Sequence, residues 1–390
     1  MKRRDFTKQA TIQTFAATTL PGGLLAHDVI VEEVKPEPQS KQASDLVDLF
    51  ISHMKLCKVS EGETFLFYTT PSYARPEYIT AGLAAAKILG ANAFSLVATS
   101  NSSALAKNPV KSDLLLKAFM GADVVYGQIP LYDEAHNIAV QQNGGEGVAK
   151  TGTRTLMVSQ PVESLKRLFP NEDVIRRTKR GRDRIEAAKE IRLADDQGTD
   201  LRLGKAGRKG AYGCGVSDIA GRWDHWPSGL VTCAPHEDQA EGVYIVNPGD
   251  VILGLRHRCT SQVKITMEAG RITSIEGGYD AQMIRERFAL YDGQSDPETY
   301  QDPEGHFSDP YRIAHAGWGC EHRAQWQVMG MDSEVMYGNS MFSFGRNMFD
   351  SLGGANWTEV HIDICCRNKR VYLDDELIVE NNKIIPPDLA

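Results

Sequence analysis

The residues best equipped for chemistry are His361 and Asp363, in the run Val360-His361-Ile362-Asp363-Ile364. The run reads as a β-strand, on which successive side chains leave on opposite faces. His361 and Asp363 therefore share one face, while Ile362 and Ile364 share the other. An imidazole and a carboxylate two residues apart on a rigid strand can bind one divalent ion. The same spacing also suits a plain His–Asp hydrogen bond on a half-buried strand. A metal needs a further ligand from elsewhere. His315, in Tyr311-Arg312-Ile313-Ala314-His315-Ala316-Gly317-Trp318-Gly319, sits among small and aromatic residues that leave room for close backbone approach. His322 follows soon after, but its neighbours Glu321 and Arg323 read as an exposed face. Two histidines and one carboxylate are the set that holds ferrous iron in non-haem oxygenases, with three positions left open for substrate and dioxygen. By ligand chemistry alone, manganese or zinc would serve as well.

A second cluster is Arg222-Trp223-Asp224-His225-Trp226-Pro227-Ser228-Gly229. Here His225 could act as an acid/base or a hydrogen-bond donor, and the two tryptophans could flank an aromatic ring. The competing reading is a packed loop with satisfied polar groups. Tyr337 could lend a phenol to a pocket, although a tyrosine beside a glycine turn is more often structural. His236 is a weaker candidate.

The elements that must position these groups fall into two textures. From Ser44 to about residue 160, short apolar runs alternate with helical spacing. Leu46, Leu49, Phe50 and Met54 mark a helix, Phe65 to Tyr68 a strand, and Pro76 to Leu89 a helix. Ala93 to Ala98 and Val124 to Tyr126 read as strands, Asp113 to Met120 and Asp133 to Gln142 as helices, and Thr155 to Val158 as a strand. This alternation predicts a parallel sheet covered on both faces. No G-x-G-x-x-G follows the first strand, so no dinucleotide site is expected. Glu172 to Ile191 is a strongly charged helix with clustered arginines, read as a solvated face with local ion pairs, a domain boundary or a subunit contact.

Beyond residue 200, glycines rise and β-like runs dominate: Gly242 to Val246, Val251 to Leu255, Val263 to Met267, Arg271 to Ile275, Val360 to Cys365, Lys369 to Leu373 and Leu377 to Glu380. Glu268-Ala269-Gly270 and Asp374-Asp375 look like hairpin loops, and Ala281 to Leu290 like a helix. The expected fold is thus an N-terminal parallel-sheet α/β domain (residues 43–200) and a β-rich α+β metal-binding C-terminal domain (residues 201–390).

With 390 residues, 42% apolar and 24% charged, the chain has the profile of a soluble globular protein of two domains. A net charge of −8 argues against a nucleic-acid partner, and no apolar run is long enough to span a membrane as a helix. The seven cysteines contain no Cys-x-x-Cys pair, and most are expected to be buried small hydrophobes. Residues 1–42 stand apart. Lys2-Arg3-Arg4-Asp5-Phe6-Thr7-Lys8 and the mildly apolar stretch to Ala26 resemble a twin-arginine export signal, and Glu32 to Gln42 an extended linker. Export to the periplasm is the expectation, with a cytoplasmic protein bearing a basic terminus as the alternative.

Several segments together resemble a known family. Pro227-Ser228-Gly229-Leu230-Val231-Thr232, Ala234-Pro235, Ala240-Glu241-Gly242, the segment around His315 and the His-x-Asp strand are similar to the catalytic domain of aminopeptidase T-type metallopeptidases. In those enzymes, the resemblance implies, glutamates stand where this chain has Leu230 and His315, and two metal ions are bound. Leu230 cannot bind metal, so that two-metal site is broken. The altered pattern is closer to the 2,5-dihydroxypyridine 5,6-dioxygenases of nicotinate degradation. That resemblance implies one ferrous ion on His315, His361 and Asp363, and a small hydroxylated aromatic ring and dioxygen as reactants. His225 or Tyr337 would move protons or orient the ring, and the chain would form a homo-oligomer. The rival readings are a peptidase-type metallohydrolase and a non-catalytic exported protein that binds metal or a small ligand.

Overall fold

The alternating first half builds a five-stranded parallel sheet. In spatial order its strands are Asn92–Val97, Thr64–Thr69, Val124–Gln128, Arg154–Met157 and Trp223–His225. The computed structural model describes residues 39–98, 113–129, 151–291, 307–347, 352–358 and 360–390. The twin-arginine segment and the helix expected over Asp133 to Gln142 lie outside them. Of the residues at helical spacing, helix Gln39–Leu56 buries Leu46, Phe50 and Met54 and leaves Leu49 half-buried. Helix Pro76–Ile88 starts on a proline, whose fixed φ suits a first turn. It comes so near the sheet that a Cβ at Gly82 would lie 2.7 Å from the Phe67 ring. Chain order reverses between the strands beginning at Thr64 and Val124. In open sheets of this kind, ligands collect in the crevice beyond the carboxyl ends of the strands.

The second half forms two antiparallel sheets of eight and seven strands. Their inner faces share one apolar core. Leu193, Leu203, Tyr244, Val263 and Val371 come from the larger sheet, and Val231, Trp318, Phe342, Phe344, Ile362 and Ile364 from the smaller. This is the packing of a β-sandwich. The hairpin at Glu268-Ala269-Gly270 forms as expected, with Ala269 at φ 46 and Gly270 at φ 77 turning the chain. All seven cysteines are buried and free. Among the described residues no helix is long and apolar enough to cross a membrane.

Three expectations need correction. Sheet membership crosses residue 200: Glu190–Ala194 already belongs to the eight-stranded sheet, and Trp223–His225 returns to the parallel one. Val251 to Leu255 is a strand only over Val251–Ile252, because Leu253–Leu255 tightens into a 3₁₀ turn. The basic helix, Glu172–Ala187, does more than present a solvated face. Arg184 pairs with Glu376 and Asp388, and Arg176 donates to the carbonyls of Asp388 and Ala390, so the helix ties down the C-terminal tail.

Candidate metal centre

Three adjacent strands of the seven-stranded sheet carry the candidate ligands. Ser340–Gly345 lies between Ile313–Gly319 and His361–Cys366, and Ser343 pairs with His315 on one side and Asp363 on the other. The middle strand is small where the ligands lean over it, with Ser343 beside His315 and Asp363 and Gly345 beside His361. On the last strand Ile362, Ile364 and Cys366 enter the sandwich core, so His361 and Asp363 leave on the opposite face, as strand alternation demands. His315 needs an extra device. Ile313 and Ala316 are three residues apart, yet both face the core. A register shift between Ile313 and His315 resets the alternation and turns His315 toward the same face as His361.

There the three side chains converge. The His315 and His361 Nε2 atoms are 3.1 Å apart, and Asp363 Oδ1 lies 3.1 Å from His361 Nε2 and 3.3 Å from His315 Nε2. Ligands held at roughly 2.0–2.2 Å from one ion are separated by about 2.8–3.1 Å across an octahedral face and about 3.3–3.6 Å in a tetrahedron. The triangle is therefore the size of one face of a single coordination shell. Its protonation agrees. His361 Nδ1 lies 2.7 Å from the carbonyl of Arg346, to which it can only donate. In a neutral ring that fixes the tautomer and turns the Nε2 lone pair toward the second imidazole and the carboxylate oxygen, the arrangement a metal ligand needs. A lone pair directed at a carboxylate is repulsive unless a cation stands between them. Burial pushes His315 below its ordinary pKa, against the pull of Asp363. Burial would raise Asp363, but its histidine partners outweigh that and hold it well below the usual carboxylate range. Neutral imidazole and ionised carboxylate are the forms that bind metal.

The trio lines a cavity of about 260 Å³ between the carboxyl end of the parallel sheet and the seven-stranded sheet. Tyr73, Ile129, Met157 and Trp223 line it from the first side, and Leu230, His315, His361 and Asp363 from the second. This volume is just below the range usual for drug-sized ligands. His225 lines the cavity with its tryptophan neighbours, and the Trp223 ring meets it edge-on with centroids 4.3 Å apart. Asp224 holds this strand in place. It accepts from Arg222 at 2.7 Å, from the Cys214 amide at 3.0 Å and from the His225 amide at 2.8 Å. Burial lowers the His225 pKa against the charges of Asp224 and Asp363, so its imidazole is neutral.

Other candidates fall elsewhere. Tyr337 is not among the cavity-lining residues. It stacks on His322 with centroids 3.5 Å apart, under the Arg177 guanidinium. His322 is exposed, as expected, though its neighbour Glu321 is buried. His236 has both nitrogens engaged, by Arg208 and by the Ala206 carbonyl. Glu334 was not anticipated. It lines the cavity from the short helix Met331–Val335, and burial, then the Asp363 charge, raise its pKa well above the ordinary value. A glutamate in a polar five-residue helix carries no sequence signal that separates it from a solvated one.

With this geometry in hand, similarity to known proteins becomes decisive. The sequence model of the NicX family, 2,5-dihydroxypyridine 5,6-dioxygenase, matches residues 45–386. The chain belongs to this dioxygenase family. The 2,5-dihydroxypyridine 5,6-dioxygenase of Pseudomonas putida KT2440 is 30% identical over 364 residues, covering 88% of this chain and 97% of that one. The solved structure of the 2,5-dihydroxypyridine dioxygenase from the same organism superposes with a TM-score of 0.74 at 28% identity, over 89% of this chain and 99% of that one. Wild-type AmpT of Thermus thermophilus superposes with a TM-score of 0.54 at 13% identity, over 88% of this chain and 99% of that one, which shows a shared fold. The chain is thus a ring-cleaving dioxygenase acting on a dihydroxypyridine, built on a fold shared with aminopeptidase T.

Proposed function

We propose that this dioxygenase holds one ferrous ion on His315, His361 and Asp363 and opens 2,5-dihydroxypyridine between C5 and C6. The observation that supports the metal assignment is the convergence of three ligand atoms, with His361 Nε2 3.1 Å from both His315 Nε2 and Asp363 Oδ1 and those two 3.3 Å apart. The reaction disfavours zinc, which has no redox chemistry, and the choice of iron over manganese rests on the family resemblance. Ferrous iron, when bound, supplies a Lewis acid for the ring oxygens and electrons for dioxygen. The chain supplies the rest. Neutral His225 takes the proton of a ring hydroxyl on its imidazole nitrogen. Trp223, Met157, Ile129 and Leu230 wall the ring and keep water out of the cavity. With one oxygen atom added to each severed carbon, C5, which carried a hydroxyl, becomes a carboxylic acid. C6, which carried hydrogen, becomes a formyl group on the former ring nitrogen.

The test is anaerobic reconstitution with ferrous iron, then dioxygen uptake with 2,5-dihydroxypyridine. One iron per chain and one dioxygen per ring are expected. Two bound ions with release of amino acids from peptides would establish the hydrolase instead. Metal binding without dioxygen uptake would leave a non-catalytic binder.

Two further expectations belong to this reading. Arg3 and Arg4 direct export to the periplasm, so changing both to Lys traps the protein in the cytoplasm; an unchanged distribution would end that idea. The chain assembles as a homo-oligomer, which light scattering would contradict by returning the monomer mass.

A further inference from the structure

The 3₁₀ turn Leu253–Leu255 lies against the metal-ligand strand. The chain before it pairs with that strand, Ile252 opposite Ile364. A Cβ on Gly254 would lie 3.3 Å from Ile362 Cα and 3.4 Å from the His361 carbonyl. Arg256 closes the turn in the left-handed conformation, φ 49 and ψ 44, with its amide bonded to the Leu253 carbonyl at 2.9 Å. Left-handed backbone is costly for a residue with a Cβ, and such strain persists only where the surroundings impose it. Its neighbours supply the constraint. His257 is bound to Asp280, and Arg258 donates to the Gly249 carbonyl at 2.7 Å and lies over the Trp326 ring.

Arg256 itself is exposed and lines the metal cavity, the only arginine or lysine that does so among the described residues. Its guanidinium has no hydrogen-bond or ion-pair partner among the described residues, although three carboxylates line the same cavity. Asp224 is committed to Arg222, and Asp363 to the two histidines. Glu334 lines the cavity from the short helix Met331–Val335 and forms no ion pair with Arg256. The cavity thus presents one unspent cation, and a planar fork of this kind matches a carboxylate.

We propose that Arg256 is a carboxylate-binding residue at the mouth of the metal cavity. The inference rests on the ring-cleavage reading for the source of its ligand. The substrate ring carries no carboxyl group, but cleavage creates one at C5. A carboxyl group already attached to the ring would present the same chemistry, and the test separates the two.

Binding is measured by calorimetry on the iron-loaded full chain without dioxygen, comparing the native protein with Arg256→Gln and Arg256→Lys. One probe pair is maleamate, the cleavage acid without its N-formyl group, and its neutral isostere maleamide. The other is 2,5-dihydroxypyridine-4-carboxylate and 2,5-dihydroxypyridine. The native chain should prefer maleamate over maleamide roughly ten- to hundredfold, the worth of a hydrogen bond to a charged group. Arg256→Gln should abolish that preference, and Arg256→Lys should keep part of it. If only the maleamate pair responds, the ligand is the acid made by cleavage. If the ring pair responds, the site reads a carboxyl group on the substrate. Preferences in both pairs that are the same with and without Arg256 would overturn the proposal. Because dioxygen is excluded, the two readings fail separately. An Arg256-dependent preference in a chain that consumes no dioxygen would sink ring cleavage and leave the carboxylate site standing.

Discussion

Two groups of buried histidine in this molecule have opposite meanings. His53 sits in the core of the first half, fully enclosed. Its Nε2 donates to the Gly215 carbonyl at 2.8 Å, its Nδ1 accepts from the Tyr126 hydroxyl at 2.9 Å, and its ring stacks on Trp226 at 3.8 Å. Burial pushes its pKa down to about 3. Each polar atom has a protein partner of the right kind, so nothing remains for a ligand to do. His315 and His361 are nearly as deep, but their Nε2 atoms face each other and a carboxylate, and the His315 Nδ1 has no hydrogen-bond partner among the described residues. Burial therefore does not distinguish structure from site. The distinction is whether the protein completes the histidine's hydrogen bonds or leaves a lone pair aimed at a place where a cation fits.

The largest effect that sharpens this contrast comes from the converging side chains. His361→Ala, Asp363→Ala and His315→Ala should each abolish dioxygen uptake and lower the bound metal to a trace by elemental analysis. The fold should survive, because the core contacts of that strand belong to Ile362 and Ile364. The loss in stability should be limited to the lost metal linkage, about 3–4 kcal/mol if free metal had been 100 to 1,000 times its dissociation constant. Variants that keep both iron and activity would end the three-ligand reading.

His225→Gln comes next. Its expected cost is a ~10²–10⁴-fold fall in kcat, the usual contribution of a positioned acid/base, with the metal content unchanged. Because burial lowers the His225 pKa, the base is ready at neutral pH. The acid limb of the native pH profile should therefore lie below pH 6.5, with activity rising as pH rises through it. The variant should lack that limb. A variant with full kcat would leave the site without its assigned base.

How much of this was legible beforehand follows from the range of each signal. The His-x-Asp strand could be read because alternation is a local property, and the structure puts Ile362 and Ile364 in the core as alternation requires. The alternating elements of the first half were legible for the same reason. His315 was harder, since only the register shift beside it turns the side chain to the ligand face, and such an irregularity leaves no mark in composition. Its place in the proposed set came from its small and aromatic neighbours and from a resemblance, not from spacing. Glu334 and Arg256 were not legible at all. Each reaches the cavity because a distant segment folds over it, and in the sequence each looks like a solvated charge. Tyr337 failed in the other direction, as a plausible phenol claimed by His322 and Arg177.

His53→Leu should move stability and leave chemistry alone. It removes the partners of the Tyr126 hydroxyl and the Gly215 carbonyl, both buried, at a cost of about 2–5 kcal/mol in urea denaturation. Metal content per folded chain should not change. Acid should expose the same group. The folded chain refuses a proton that unfolded His53 accepts below pH 6.5, so this contribution is complete above pH 6.5 and declines as pH falls toward 3. The native protein should lose up to about 1.4 kcal/mol more per pH unit than the variant in that window. Equal slopes would mean that His53 is not the neutral, enclosed group its contacts describe.

The smallest effect is expected from His322→Ala, and its smallness is informative. His322 lies seven residues after His315 and is the sequence's other candidate for the third ligand. It is exposed, and its ring stacks on Tyr337 at 3.5 Å. Losing one aromatic stack at the surface should cost about 0.5–1 kcal/mol, a shift of a few degrees or less in a chain this long. Burial and the Arg177 charge both lower its pKa, so the ring is neutral at pH 7 and its removal takes no cation from the surface. Iron content and dioxygen uptake should match the native protein. If His322→Ala lost both while His315→Ala kept them, the third ligand would have been assigned to the wrong histidine. The 3.1 Å approach of His315 to His361 would then be ordinary packing of the kind seen around His53.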